Sequence, residues 1–267
     1  MDLVPRNFYS PVPDVERLPS DTFARRSSMR GIELDLDACV GYLQGLERLL
    51  GEFVPPPGFV WDNRMYGPVE ADVLYAVVRH HHPRRVIELG SGFSSLIIAA
   101  ALRRNADDGH HGSYTAYDPY ARDFVRRGVH PLALESVSAT DVSPSEFEAL
   151  EQGDLLFIDT THIVKVGSEV NRLILDVLPA LTAGVLVHIH DIFLPYEYPK
   201  GFFERGLYFN EQYLFQAFLA ENPHWEVLAP LYALARDRPQ ELARLVGSFT
   251  PGVGPGAFWI RRRPDSE

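Results

Sequence analysis

Between residues 85 and 102, an apolar segment, two closely spaced glycines and a second apolar run follow one another without interruption. Residues 86–89 have the length and composition of a short buried strand, and Gly90 and Gly92 predict a tight turn. Ser94 then marks the start of a helix. A strand that leads through a turn into a helix is typical of α/β folds with a parallel sheet. The helix start offers free N–H groups that can bind a nucleotide-like ligand. The alternative is that the turn simply connects the strand to the helix.

The residues around the glycines narrow the kind of ligand. A dinucleotide-binding turn carries a third glycine three residues after the second, where this chain has Ser95. Glu88, at the end of the strand, would repel a pyrophosphate but attract a ligand that carries an ammonium or sulfonium charge. Asp118 ends the next predicted strand, residues 114–117, and is placed to accept hydrogen bonds from ribose hydroxyls.

The segment 88–92, Glu-Leu-Gly-Ser-Gly, resembles the acid-x-Gly-x-Gly signature of class I S-adenosylmethionine (SAM) methyltransferases, and Asp118 is similar to their ribose-binding acid. The resemblance covers residues 65–262. It implies a Rossmann-like class I methyltransferase fold, which is an α/β fold with a mostly parallel seven-stranded sheet, helices on both faces and an N-terminal helical cap. It also implies SAM as the cofactor, held by Glu88, Gly90, Ser91, Gly92 and Asp118, with Tyr66 from the preceding loop and Ser138 after the third strand.

Two predicted strands in the second half of the chain also end in acids. Residues 154–158 lead into Asp159, and residues 185–190 lead into Asp191. In a parallel sheet the carboxyl ends of the strands lie at one edge, where ligands bind. Uncompensated carboxylates near a core are costly, so these acids, together with the two of the first half, predict a binding site rather than a packing arrangement.

Asp159 and Asp191 resemble the positions that hold magnesium in catechol-type and some antibiotic-tailoring O-methyltransferases. In those relatives the second strand end supplies two consecutive oxygen ligands, whereas here His190 precedes Asp191. Magnesium prefers oxygen ligands, and imidazole suits iron, manganese or zinc. The resemblance implies a site of Asp159, His190 and Asp191, with His162 as a further candidate, that binds a divalent cation (Mg, Mn or Fe) or works without one. Asp159, His190 and His162 are the predicted catalytic residues, and without a metal either histidine would be the general base.

Two loops are candidates for closing the site. Residues 61–68 concentrate large and polar side chains before a predicted helix, and residues 192–206 are rich in aromatics, proline and glycine. The second composition suits a lid that lines an apolar pocket, with Tyr196, Glu197 and Tyr198 as candidate substrate contacts. A structural turn explains it equally well.

The predicted domain organisation is an N-terminal arm and helical cap over residues 1–64 and a SAM-binding core over residues 65–267. The arm is rich in proline and charge, and Phe8 and Tyr9 can pin it to the body or to a second subunit of a homo-oligomer. Residues 35–50 repeat apolar side chains at helical spacing. This pattern predicts an amphipathic helix that either covers the substrate pocket or only packs.

Charge and cysteine content exclude several classes of protein. The formal net charge of -11 argues against a surface that coats nucleic acid. Cys39 is the single cysteine, so an intrachain disulfide and cysteine-based zinc sites are excluded. The first residues do not resemble a signal peptide, and no run approaches the roughly 18 apolar residues of a membrane span. We therefore expect a cytoplasmic protein that acts on a small molecule, with neither nucleic acid nor membrane as partner.

The resemblance implies an enzyme that transfers the methyl group of SAM to a small-molecule acceptor, in the first place to a hydroxyl oxygen of a natural product or sugar. The patterns at residues 157–162 and 190–195 are most similar to bacterial methyltransferases that tailor secondary metabolites and sugars.

Three alternatives stay open. A nicotinamide-dependent dehydrogenase would share the α/β pattern, although the third glycine is missing. A non-haem iron oxygenase would use His188, His190 and Asp191, because the two histidines share one face of a strand; otherwise His188 is expected to be a hydrogen-bonded core residue. A non-catalytic subunit with the same fold would bind a partner through its long arm.

Overall fold

The structure, a computed structural model, describes residues 10–264. The contacts expected of Phe8 and Tyr9 therefore lie outside the described residues. Within the described part of the chain, no helix is long and apolar enough to cross a membrane.

Seven strands of the described chain form one sheet. The strands are β1 (Arg85–Leu89), β2 (Ser113–Tyr117), β3 (Ala133–Glu135), β4 (Leu155–Ile158), β5 (Leu186–Ile189), β6 (Trp225–Pro230) and β7 (Phe258–Arg262). Their order across the sheet is β3-β2-β1-β4-β5-β7-β6. The first five run parallel, whereas β7 runs antiparallel to both β5 and β6. The predicted Rossmann-like α/β fold with a mostly parallel sheet is confirmed.

Short helices connect and cover the strands. They are α1 (Leu36–Gly45), α2 (Glu47–Leu50), α3 (Glu70–His81), α4 (Phe93–Asp107), α5 (Asp123–Arg126), α6 (Pro144–Glu148), α7 (Glu169–Arg172), α8 (Leu178–Ala180), α9 (Lys200–Glu204), α10 (Glu211–Leu219), α11 (Leu231–Asp237) and α12 (Pro239–Leu245). A π-helical turn, Leu173–Val177, joins α7 to α8, and two 3₁₀ turns, Val15–Arg17 and Thr22–Ala24, precede α1.

Each face of the sheet carries an apolar cluster. One cluster joins side chains of α1–α4, α11 and α12 to Phe157 and Trp259, and the other joins side chains of α6–α8 and α10 to Ile158 and Ile189. The helices therefore lie on both faces, as predicted. In the first layer α1 packs on β6 and α2 packs on α3. The division of the chain at residue 64 stays a prediction.

Two segments differ from the sequence-based expectation. The helix predicted over residues 35–50 is divided at Leu46 into α1 and α2, and the carboxylate of Asp35 accepts the N–H groups of Asp37 and Ala38 at its start. The connection between β6 and β7 holds α11 and α12, which the sequence reading did not identify. Pro239 separates them into two pieces of 7 residues each, too short to give a clear helical period.

Strands β1 and β4 come close together at the edge where ligands are expected. Asp159 donates its N–H to the carbonyl oxygen of Leu89 at 2.9 Å. Gly90 has a φ of 82°, and a Cβ added to it would lie 1.9 Å from the carbonyl oxygen of Asp159. Only glycine fits there, because any side chain would meet both a strained backbone and a neighbouring main chain. This contact fixes the glycine turn relative to the end of β4.

We expect Gly90→Ala to lower the free energy of unfolding by about 3 kcal/mol or more, because left-handed strain and the clash add together. Gly92→Ala is the matched control. Gly92 is extended, with a φ of 178°, and a Cβ added to it meets no atom within 4 Å. We expect this variant to stay within about 1 kcal/mol of the wild type. Urea unfolding of both variants measures the difference, and equal stability would contradict the proposed contact.

Candidate active site

The glycine turn is tied to the end of β2. Ser91 donates its N–H and its hydroxyl to Oδ2 of Asp118, at 3.0 and 2.7 Å. The N–H of Tyr120 donates to Oδ1 of the same carboxylate at 2.7 Å. Gly92 occupies the N-cap position of α4. The structure therefore brings Ser91, Gly92 and Asp118 together at one half-buried edge, and their contact with a nucleoside stays a prediction.

Glu88 lies beneath this turn. Its fully buried carboxylate accepts the hydroxyl of Ser94 at 2.6 Å, that of Ser95 at 2.7 Å, and that of Tyr114. Burial raises the pKa of Glu88 to about 7, although the three hydroxyl donors favour the ionised form. Glu88 thus braces the start of α4, and its interaction with a charged ligand stays a prediction.

Tyr66 precedes α3, and Ser138 follows β3. Tyr66 is buried, with its ring centroid 5.3 Å from that of His190 and 5.9 Å from that of Phe157. The hydroxyl of Ser138 lies 2.8 Å from that of Thr140. The contact of both residues with SAM stays a prediction.

Asp159, His162 and His190 converge at the ends of β4 and β5. His162 Nε2 lies 3.2 Å and His190 Nδ1 lies 3.5 Å from the same oxygen, Oδ1 of Asp159. One ligand atom of each residue lies within 4.8 Å of the others, as a shared metal ion would require. Asp191 stands beside this group, with Oδ2 at 3.7 Å from His162 Nε2 and Oδ1 at 3.9 Å from His190 Nδ1.

Two buried carboxylates that the sequence analysis missed complete the cluster. Glu211 Oε2 lies 3.0 Å from His162 Nδ1, and Glu70 Oε1 lies 3.3 Å from His190 Nε2. Each glutamate lies in the first turn of a helix, α10 or α3. An acid in that position is common for a different reason, the helix dipole, so the sequence carries no specific signal for either residue.

Close pairing shifts the pKa values of the cluster. Burial would raise the pKa of Asp159, but the charge of His190, together with the hydrogen bond and charge of His162, lowers it below its usual range. Burial would lower the pKa of His162, but its bonds to Asp159 and Glu211 raise it to about 10. Burial would also lower the pKa of His190, whereas the charges of Asp191 and Asp159 raise it. Either imidazole must therefore lose a proton before it can act as a general base.

His188 is a core residue without hydrogen bonds. Its ring stacks on Phe157 with the centroids 4.1 Å apart and meets Trp259 at 4.7 Å. In the described chain neither ring nitrogen has a hydrogen-bond partner, so the expected hydrogen-bonded state is wrong. Burial, and then the charge of His190, lower the pKa of His188 well below its usual value. The ring is therefore neutral.

The arrangement also bears on the oxygenase alternative. Among residues 10–264, the histidines and acids that come together as a metal-compatible group are Asp159, His162 and His190. His188 is not a member of this group, because its ring is enclosed by aromatic side chains of the core. The iron-binding triad expected of that alternative does not form.

A cavity of about 310 Å³ opens beside the cluster. Three segments wall it: the loop 61–68, part of the predicted lid 192–206, and residues 253–256. Apolar walls with a few polar groups are typical of small-molecule sites. The aromatic side chains are Trp61, Phe193 and Phe202, and the polar ones include His190 and Asp191.

The polar residues proposed for the lid have other roles. Tyr196 donates its hydroxyl to Asp237. Glu197 accepts a hydrogen bond from a tyrosine hydroxyl of α10, and the hydroxyl of the fully buried Tyr198 accepts an N–H from α10 at 3.0 Å. These three side chains anchor the loop internally, so the expectation that they contact substrate is corrected. Tyr196 pairs with α11, whereas Glu197 and Tyr198 pair with α10, and none of the three is among the residues that line the cavity.

A larger cavity, about 750 Å³, lies at the opposite edge of the sheet, where the parallel strands begin. Its lining includes His80, His81, His82, Arg84, Arg261, Arg262 and Arg263. None of the predicted site residues borders it.

This chain is similar to several known proteins. Residues 87–192 match a family model described as a methyltransferase domain. An uncharacterized protein of Archaeoglobus fulgidus is 28% identical over 164 residues, which are 55% of this chain and 73% of that protein. The O-methyltransferase from Bacillus cereus in complex with SAH is 13% identical, with a TM-score of 0.44 over 84% of this chain and 91% of that one. The 16S rRNA (adenine(1408)-N(1))-methyltransferase from Catenulisporales acidiphilia is 14% identical, with a TM-score of 0.32 over 74% and 94%.

The pKa of Glu88 predicts a pH-dependent stability in the absence of SAM. Folding raises this pKa from 4.5 to about 7, so the contribution of Glu88 is largest below pH 4.5 and is lost as the pH rises through about 7. The Glu88→Gln variant has no such titration. We expect the unfolding free energy of the wild type minus that of the variant to fall by about 3 kcal/mol between about pH 4.5 and about pH 8. Denaturant unfolding measures it, and a flat difference would contradict the buried, protonated carboxyl.

Proposed function

We propose that the chain is a class I SAM-dependent methyltransferase that methylates a hydroxyl oxygen of a small molecule, a natural product or a sugar, with help from a divalent cation. The observation that supports this most strongly is the position of Asp159. Its carbonyl oxygen packs against the glycine turn, and its carboxylate contacts His162 and His190. A cofactor at the turn and an acceptor at the imidazoles would therefore lie next to each other.

On the cofactor side, Gly90, Ser91 and Gly92 would hold SAM along the open edge of the turn, and Asp118 would accept the ribose hydroxyls. The space beyond Gly92 fits such a ligand, since a Cβ there meets no atom within 4 Å. When bound, SAM supplies an electrophilic methyl group on a sulfonium sulfur. The negative charge of the nearby acids favours that cation.

On the acceptor side, Asp159, His162 and His190 would hold the cation, with Asp191 facing the acceptor. Buried His190 Nδ1 has no hydrogen-bond partner among the described residues, as a free ligand atom would. A donor set of two imidazoles and a carboxylate suits manganese or iron better than magnesium. A cation bound there would supply Lewis-acid polarisation of the acceptor oxygen.

The cavity and the charge of the chain favour a small acceptor. A volume of about 310 Å³ lies at the lower end of the usual range for small-molecule sites. Trp61 and Phe202 would hold an apolar ring or sugar face and exclude water, while Asp191 orients the hydroxyl and takes its proton. A net charge of -11 disfavours a polyanionic acceptor. We further propose a cytoplasmic enzyme of secondary metabolism whose N-terminal arm contacts a second subunit.

Cofactor binding is tested by calorimetric titration with S-adenosylhomocysteine, alongside NAD. We expect the wild type to bind S-adenosylhomocysteine with micromolar affinity and not to bind NAD. Binding of S-adenosylhomocysteine should weaken about tenfold or more in Asp118→Asn, because hydrogen bonds to a charged acceptor contribute about 1.5–3 kcal/mol. Asp123→Asn, at the start of α5, is the control and should bind as the wild type. Failure of the wild type to bind S-adenosylhomocysteine would overturn the proposal.

Methyl transfer is tested by mass spectrometry of phenol, flavonoid and sugar acceptors, with a 16S rRNA fragment for comparison. We expect a gain of one methyl group on a hydroxylated small molecule and none on the RNA. Loss of the orienting carboxylate in Asp191→Asn should lower kcat about 10²–10⁴-fold while S-adenosylhomocysteine still binds. The exposed Asp176→Asn serves as the control. An equal kcat in both variants would exclude Asp191 from the chemistry.

A further inference from the structure

Both histidines of the cluster have a buried carboxylate on the ring nitrogen that faces away from Asp159. For His162 it is Glu211, which is 1% exposed, and for His190 it is Glu70, which is 6% exposed. The two glutamates come from different helices, Glu211 from α10 and Glu70 from α3. Each glutamate pairs with the ring nitrogen that faces away from Asp159, which indicates that both glutamates have the same structural role.

Glu70 is held rigidly by the walls of the acceptor cavity. Its Oε2 accepts the N–H of Gly67 at 2.9 Å, and its Oε1 accepts the N–H of Gly256 at 2.7 Å. The same Oε1 lies 3.3 Å from His190 Nε2. With both oxygens occupied, the carboxylate cannot turn away from the ring, so His190 keeps its Nε2 towards Glu70 and its Nδ1 towards Asp159.

Glu211 holds His162 through both main chain and side chain. The carbonyl oxygen of His162 accepts the N–H groups of Asn210 at 3.1 Å and Glu211 at 3.2 Å, and the Glu211 carboxylate pairs with Nδ1. Asn210 also accepts the N–H of Val164 at 2.6 Å instead of capping α10 with its side chain. These bonds hold His162 at a φ of 60°, which a non-glycine residue rarely adopts.

The two rings are therefore held in opposite orientations, and a bound cation would take the place of the proton on the nitrogen that faces Asp159. An imidazole that donates one N–H to a carboxylate presents the lone pair of its other nitrogen, and this arrangement is the one that orients histidine ligands of metal ions. Here the ligating atoms would be Nε2 of His162 and Nδ1 of His190. Both lie within 3.5 Å of Asp159 Oδ1, and His190 Nδ1 is buried without a hydrogen-bond partner.

We infer that Glu211 and Glu70 are positioning residues, which set the opposite orientations of His162 and His190 so that these rings and Asp159 form a three-donor site for a divalent transition-metal ion. The inference rests on the proposed function, because it names how the acceptor-activating site is built. Glu70 also joins His190 to Gly67 and Gly256, so one carboxylate links the cation site to two walls of the acceptor cavity.

Titration of the metal-stripped protein with cobalt(II) tests this inference through a spectrum as well as an affinity. We expect one cobalt per chain, with visible absorption of a nitrogen-ligated ion. Glu211→Gln keeps an oxygen acceptor and should weaken binding about tenfold, whereas Glu211→Leu should weaken it about 100-fold and change the spectrum. Glu70→Gln should weaken it about tenfold.

Two controls match the tested residues. Asp72→Asn alters another buried carboxylate of α3, which accepts hydrogen bonds from Val69 and Ser248 but touches no imidazole. Glu169→Gln alters a carboxylate that holds Thr161, beside His162, without contacting the ring. Both should bind cobalt as the wild type does. Wild-type affinity and spectrum in the Glu211 and Glu70 variants, or no cobalt binding by the wild type, would overturn the inference.

Titration with S-adenosylhomocysteine in the same variants separates the two proposals and shows that each variant is folded. If S-adenosylhomocysteine binds every variant while cobalt affinity falls only in the Glu211 and Glu70 variants, the inference stands. If the wild type binds cobalt as expected but not S-adenosylhomocysteine, the methyltransferase function fails and the positioning role stands. If Glu211→Leu does not fold, the Glu211→Gln result decides.

Discussion

The contact between Gly90 and Asp159 joins the two halves of the site in one rigid unit. Asp159 packs its carbonyl oxygen against the glycine turn, donates its N–H to Leu89, and extends its carboxylate to the imidazoles of His162 and His190. Methyl transfer requires two reacting atoms to be held about 3–3.5 Å apart and aligned. In the proposed function, the main chain of Asp159 would belong to the cofactor side and its side chain to the acceptor side, which would meet that requirement without a flexible link.

Alternating charges allow this cluster to be buried. Going from α10 to α3, the order is Glu211, His162, Asp159, His190 and Glu70, so that each imidazole lies between two carboxylates. A buried charge without a partner costs several kcal/mol, whereas a paired and hydrogen-bonded one is tolerated. The alternation explains why the pKa of Asp159 is lowered while the pKa values of both histidines are raised. It also makes every member depend on its neighbours.

Sequence reasoning located the strand-end acids because their signal is local. A short apolar run followed by an acid is visible in the chain itself, and the parallel sheet then brings Asp159 and Asp191 to one edge. The same reasoning missed Glu70 and Glu211, since nothing near them in sequence distinguishes them from ordinary acids in a first helical turn. It also predicted a lid from composition but not its orientation, because packing against α10 turns Tyr198 inward and leaves Phe202 at the cavity.

Local sequence signals are enough to define the α/β architecture and the row of polar residues at the carboxyl edge, because short apolar runs, a glycine turn and helix-start residues act over a few neighbouring positions. Which side chains meet at that edge depends on tertiary packing. His162 and Glu211 are 49 residues apart, and their pairing depends on where α10 packs. The exclusion of His188 from the metal-compatible group likewise follows from its enclosure by Phe157 and Trp259. Hydrogen bonds between distant side chains arise from packing, which local sequence preferences do not specify.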